Sequence, residues 1–92
     1  MIGLFEWDEA KRECNIQDRK IDFIDILPLF EGEVVELVDN RFDYGETRIK
    51  CFGELNDRVY AVIYTWRGEN RRIISARKAN AREQRAYYAR HA

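Results

Sequence analysis

The stretch Arg71-Arg72-Ile73-Ile74-Ser75-Ala76-Arg77-Lys78-Ala79-Asn80-Ala81-Arg82-Glu83-Gln84-Arg85-Ala86-Tyr87-Tyr88 reads as a β-branched strand running straight into a basic helix. The strand is expected over Arg71 to Arg77 and the helix from near Asn80. Glu83, three positions after Asn80, gives the reciprocal capping pattern with Asn in the place of Ser or Thr. The apolar positions of the helix are Ala79, Ala81, Ala86 and Ala89 plus two tyrosines. So thin a stripe buries little, and either the helix docks lightly or its other face awaits a partner. A strand end meeting a helix start also gathers cationic side chains and backbone N–H groups, a geometry suited to phosphate and hence to RNA.

Upstream of this block, Arg67-Gly68-Glu69-Asn70 is a hairpin turn. Arg58 to Trp66 is an almost unbroken run of β-formers, expected as a central strand apolar on both faces. Thr47 to Phe52 alternates, with Thr47, Ile49 and Cys51 facing one way and Arg48, Lys50 and Phe52 the other. Gly53 to Asp57 turns the chain, residues 39–46 are irregular, and Glu33 to Val38 is a further strand. Before it come two helices. Asp8 caps the first, which runs to about Arg19 with Ala10, Cys14 and Gln17 as its inward stripe and Lys11, Asn15 and Arg19 as a solvated row. Asp22 caps the second, the most apolar, carrying Phe23, Ile24, Ile26, Leu27, Leu29 and Phe30. Pro28 disturbs its last turn and Gly32 stops it. Ile2 to Trp7 is a short first strand. The order β-α-α-β-β-β-β-α implies an α+β domain, an antiparallel sheet with two N-terminal helices and one C-terminal helix.

Ninety-two residues bound this to one domain, 1–92, and 46% hydrophobic with 13% aromatic residues describes a folded chain. The longest apolar runs are far short of a membrane span, and the start lacks the form of a signal peptide, so a cytoplasmic protein with no membrane partner is expected. Cys14 and Cys51 show no Cys-x-x-Cys spacing and His91 is next to last. No zinc site and no cofactor are expected, and both thiols are expected reduced and largely buried. Trp7 and Trp66, within or beside strands, are expected as core or interface anchors. The net charge of −1 conceals an asymmetry: residues 1–57 hold seven Lys/Arg against fifteen Asp/Glu, and residues 58–92 hold nine against two. Such a chain offers a basic surface to nucleic acid or to an acidic partner, unless the halves neutralise each other across the fold.

Phe5-Glu6-Trp7-Asp8, Lys11, Asn15, Phe23, Phe30, Arg48 and Gly53, followed by Arg72-Ile73-Ile74-Ser75-Ala76-Arg77-Lys78-Ala79, Glu83 and Tyr87, resemble the BrnT toxin family across essentially the whole chain. The resemblance implies a RelE-like fold and a type II toxin, a ribonuclease that stops translation. It also implies a BrnA-like antitoxin that wraps the toxin and alone contacts the operator DNA. Where the family carries Lys-His-Gly after the first helix, this chain has Asp18-Arg19-Lys20.

RNA cleavage without a metal needs an activated 2′-hydroxyl, a stabilised phosphate and a protonated 5′-oxygen. Arg77 is the leading group for the phosphate, because a guanidinium stays charged and forks onto two oxygens; a structural ion pair is the simpler alternative. Glu83 is a candidate base, given a raised pKa, or else a cap and an orienter of Arg77. Lys11 is a candidate proton donor or phosphate ligand. Arg48, Lys50, Arg72, Lys78 and Arg82 are candidate RNA contacts, with Arg72 expected on the opposite strand face from Arg77 by period-two alternation. Tyr87 is a candidate base-stacking group or a packing residue. A non-catalytic RNA- or protein-binding adaptor, or an inactive toxin homologue, stands as the alternative to an endoribonuclease.

Overall fold

Two tight turns order the sheet. Asn56 and Asp57 take left-handed conformations (φ 53° and 64°), as does Gly68 (φ 60°), and such backbone lets a two-residue turn match the twist of its strands. In a computed structural model, which describes residues 4–40 and 45–91, the elements are β1 (Phe5–Trp7), α1 (Glu9–Arg19), α2 (Phe23–Ile26) and a 3-10 helix (Leu27–Glu31). There follow β2 (Val34–Asp39), β3 (Arg48–Leu55), β4 (Arg58–Arg67), β5 (Asn70–Lys78) and α3 (Ala81–His91). This is the expected α+β order. Residues 2 and 3 of the expected first strand, and residues 41–44 of the irregular stretch, lie outside the described residues.

The strands are arranged β1-β5-β4-β3-β2, antiparallel except that β1 joins β5 in parallel. The back face of the sheet carries Cys51, Val62, Tyr64, Ile73 and Ala76 beneath Phe23, Ile26 and Leu29 of α2 and the 3-10 helix. Pro28 at the start of the 3-10 helix explains the change from α geometry, since the ring removes a donor and tightens the turn. Leu29 packs so close to Gly53 that a Cβ there would lie 2.6 Å from its Cγ and Cδ2. At one end of this face the Arg71 guanidinium lies 4.8 Å from the Trp66 ring centroid and 5.0 Å from that of Phe30. Trp66 is therefore held by a cation while staying exposed, whereas Trp7 packs edge-on against Phe23. The front face carries a smaller cluster, in which Tyr87 of α3 and Ala79 cover Phe52, Val59 and Ala61.

The first helix is mounted differently from the apolar stripe expected of it. Ala10, Cys14 and Gln17 are exposed, and the buried residue is Asn15, 6% exposed. Parallel pairing with β1 ends at Ile73, which leaves the outer edge of β5 beyond it to be satisfied in another way. The Ala76 N–H donates to Asn15 Oδ1 at 3.1 Å, and Asn15 Nδ2 donates to the Ile21 carbonyl at 2.9 Å. One amide thus ties α1 to the sheet edge and to the following loop, so hydrophobicity alone misplaced the inward face. Arg12 reinforces the mount with two bonds of 2.8 Å to the Asp22 carboxylate, which they hold down at about 2. Cys14 is exposed and Cys51 buried, with the Cys51 thiol pushed up to about 12 by burial; only one of the two thiols is inside.

Candidate functional site

The front face acquires its cations through an irregularity in β5. Ile63 stands opposite Ser75 but Tyr64 stands opposite Ile73, so the register skips Ile74. A β-bulge of this kind reverses the alternation beyond it. Arg72, opposite Thr65, and Arg77, opposite Ala61, therefore share one face, since Thr65 and Ala61 are four apart on β4. The expectation that they face opposite ways is corrected by that one extra residue. On β3 the expected alternation holds, and Arg48, Lys50 and Phe52 share the same front face through their pairing with Thr65, Ile63 and Ala61.

Arg77 is the best-defined of these groups. Its Nη1 and Nη2 donate to the two carboxylate oxygens of Glu83 at 2.7 and 2.9 Å, a parallel fork. Glu83 also closes the predicted capping box: Asn80 N–H donates to its Oε1 at 2.9 Å, and Glu83 N–H donates to Asn80 Oδ1 at 2.8 Å. The Arg77 guanidinium, ahead of a backbone bond and the charge of Lys50, holds the Glu83 carboxyl at about 2. This is the opposite of the raised value a general base needs. The carboxylate orients Arg77 and starts α3.

Between α3 and the β2–β3 side of the sheet runs a groove of about 450 Å³. Its floor is Val35, Leu37 and Phe52, its helix wall includes Ala86 and Tyr87, and its charged groups are Lys50, Arg82, Arg90 and Glu83. Leu37 is 49% exposed, which is high for a leucine in a strand. Beside the groove α3 is tied to the sheet at several points: Glu83 to Arg77, Tyr88 to Glu54, and Tyr87, which is buried and whose hydroxyl donates to the Glu33 carbonyl at 2.8 Å. On the other side of α3, Arg85, Gln84 and Tyr88 line a shallow depression facing away from the groove.

The remaining candidates fall in several places. Lys50 and Arg82 are in the groove, while Tyr87 packs beneath it with its ring covered. Arg48 and Arg72 share the front face but are engaged, Arg48 by Glu46 at 3.2 Å and Arg72 by Glu6 at 2.7 Å, the latter joining the acidic and basic halves of the chain. Lys78 is exposed at the end of β5 opposite Tyr60, on the other face. Lys11 is exposed on α1, in a separate depression of about 280 Å³ shared with Arg19, Ile74 and Ser75. Arg90 and Leu37 also line the groove, and Arg82, Ala86 and Arg90 form a row at helical spacing of four. Among the described residues no three His, Cys, Asp or Glu side chains converge as a metal site, and no helix is long and apolar enough to cross a membrane.

A family model described as the ribonuclease toxin BrnT of type II toxin–antitoxin systems matches residues 7–83. The chain belongs to the BrnT ribonuclease toxin family. No individually curated protein matches it. The match takes in Lys11, Arg77 and Glu83 and stops there, so the groove wall formed by Ala86, Tyr87 and Arg90 lies beyond it. Arg19 ends α1 and Lys20 caps it at φ 60°, ψ 33°, with its N–H donating to the Ile16 carbonyl at 2.9 Å. A glycine adopts that conformation without strain; here a lysine does so.

Proposed function

We propose that the chain is an endoribonuclease toxin that cleaves RNA without a metal ion, thereby inhibits translation, and is neutralised by a BrnA-like antitoxin covering the basic strand–helix junction. The observation that carries this reading is the Arg77 fork, fixed by Glu83 on the sheet face beside a cation-lined groove. In the reaction the 2′-hydroxyl gives its proton to solvent water as its oxygen bonds to the neighbouring phosphorus, the P–O5′ bond breaks with the 5′-oxygen taking a proton from water, and negative charge grows on the non-bridging oxygens on the way to a 2′,3′-cyclic phosphate. A planar guanidinium held in place before the reaction stabilises that charge without reorganisation. Arg77 takes this role and Glu83 positions it. Lys50 and Arg82 bind flanking phosphates, and Arg48, Arg72 and Lys78 contribute general attraction to the polyanion. Lys11 lies on the flank next to Ser75, which shares the Arg77 face of β5, and extends the cationic track there. Operator DNA is reached only through the antitoxin, and the setting is the cytoplasm.

Expression of the chain alone tests the reading. Growth arrest with loss of intact RNA is expected, and Arg77→Ala should relieve both while the purified variant stays folded. A folded wild-type chain that leaves growth and RNA untouched would replace this reading with that of an adaptor or an inactive homologue.

A further inference from the structure

We propose that the groove between α3 and β2–β3 is a second subsite for single-stranded RNA, holding at least one phosphate beyond the one at Arg77 and seating an unpaired base on its aliphatic floor. The inference rests on the ribonuclease reading for the position of the first phosphate. Beyond that it rests on the groove itself.

Three features of the groove specify the ligand. Arg82 and Arg90, eight residues apart on α3, are separated by about 12 Å along the helix axis, more than one internucleotide step. With Lys50 on the facing strand they make an extended cationic rim, whose one carboxylate among the described residues, Glu83, is already bound to Arg77. Such a rim fits a chain of phosphates better than a single anion. Second, the floor between the cations is apolar, formed by Val35 and Leu37, with Leu37 half-exposed. An A-form duplex turns phosphates and 2′-hydroxyls outward and offers nothing to an aliphatic floor, whereas a single strand can lay a base against it. Third, the ring of Tyr87 is covered, and Phe52 is buried too. Aliphatic contact in place of ring stacking gives little discrimination among bases, so binding is led by charge and tolerant of sequence.

The test uses the full-length chain and 2′-O-methyl uridine oligomers of one, two, four and eight residues, which lack the attacking 2′-hydroxyl and cannot be cleaved. Binding is followed by fluorescence anisotropy at several salt concentrations. Affinity should climb from the monomer to the four-residue strand, and a blunt 2′-O-methyl duplex should compete poorly. For the eight-residue strand, three rim contacts and the one at Arg77, at about 0.7 log units each, give a salt slope of about −3, or about 50-fold weaker binding between about 50 and about 200 mM salt. Arg82→Ala with Arg90→Ala should reduce that loss to about 7-fold. Leu37→Asp should weaken binding at every salt concentration. Arg85→Ala, the same charge change on the opposite side of α3, should match the wild type.

Equal binding of mononucleotide and tetranucleotide, preference for the duplex, or equal effects of Arg85→Ala and Arg90→Ala would each overturn the proposal. It is overturned as well if the groove variants bind RNA normally but fail to capture a co-expressed antitoxin, because the groove would then belong to the protein partner. Cleavage of ordinary RNA is scored separately. Predicted binding without any cleavage supports the subsite and removes only the ribonuclease reading; cleavage with a salt slope indifferent to Arg82 and Arg90 does the reverse.

Discussion

Replacing Glu83 by Gln separates orientation of Arg77 from proton transfer, and its effect on stability follows from the geometry. The carboxylate accepts two bonds from Arg77 and one from the Asn80 N–H. A carboxamide oxygen can keep the cap, but the charge and one arm of the fork are lost. Glu83 titrates at about 2 in the folded chain against an ordinary value of 4.5. At about 1.4 kcal/mol per pH unit this sets a ceiling of about 3 kcal/mol, and solvent around the partly exposed pair lowers it to about 2 kcal/mol. Because the folded value is depressed, the contribution is complete above pH 4.5 and disappears as the pH falls toward 2. Urea denaturation of both proteins from neutral to acid pH should therefore show a gap of about 2 kcal/mol at neutrality, closing through that window. Asp22, also held at about 2, titrates in both proteins and cancels in the difference. RNA cleavage by the wild type should show no acid limb assignable to Glu83 between about pH 5 and 7, while Glu83→Gln lowers the rate throughout. A gap that persists unchanged into acid refutes the assigned ion pair, and a wild-type limb in that range abolished by Glu83→Gln would make it a base.

Arg77→Lys keeps the charge but not the fork, and should lower cleavage nearly as far as Arg77→Ala, by at least about 10²-fold in single-turnover assays. Asn15→Leu leaves the Ala76 N–H and the Ile21 carbonyl without their partner and should destabilise the fold by about 2–4 kcal/mol in chemical denaturation. Gly53→Ala drives a methyl group to within 2.6 Å of Leu29 and should lower stability by about 1–3 kcal/mol, with partial recovery when Leu29→Val is added. Lys20→Gly relieves a left-handed lysine at the end of α1 and should raise the stability by about 0.5–1 kcal/mol, visible as a higher Tm.

Much of the fold was legible because local chemistry and tertiary structure agree. Asp8, Asp22 and Asn80 each accept a backbone N–H at the start of the helix expected to follow them. Period two in Thr47–Phe52 gave the correct front-face row of Arg48, Lys50 and Phe52. What escaped depends on distant partners. That β1 would lie parallel beside β5 is encoded in no short pattern, because an edge strand is chosen by the other surfaces it covers. The inward face of α1 was misread because its docking runs through an asparagine and an ion pair, to which a hydrophobic count is blind. The skipped Ile74 is equally silent: Ile73-Ile74-Ser75 contains no glycine to mark a bulge, yet it decides that Arg72 joins Arg77. At the site, Arg77 and Glu83 were found as a pair, but the depressed carboxyl came only with the geometry.

The near-neutral whole chain and the proposed phosphate-binding face are reconciled by where the charges lie. At physiological salt an exposed charge is screened beyond about 8 Å. The helix layer on the back of the sheet stands about 10 Å from the front surface, by the usual spacing of packed layers. Carboxylates there weigh little on the groove, and several acids nearer the sheet are already engaged: Glu6 by Arg72, Glu46 by Arg48, Asp22 by Arg12. The potential a phosphate meets is set by Arg77, Lys50, Arg82 and Arg90 against Glu83. The first half of the chain thus commits Glu6, Asp8, Glu9, Asp22 and Glu46 to helix caps and ion pairs, while Lys50, Arg82 and Arg90 line the groove. A sequence pI of about 5.9 averages over these two populations and so carries no argument against RNA.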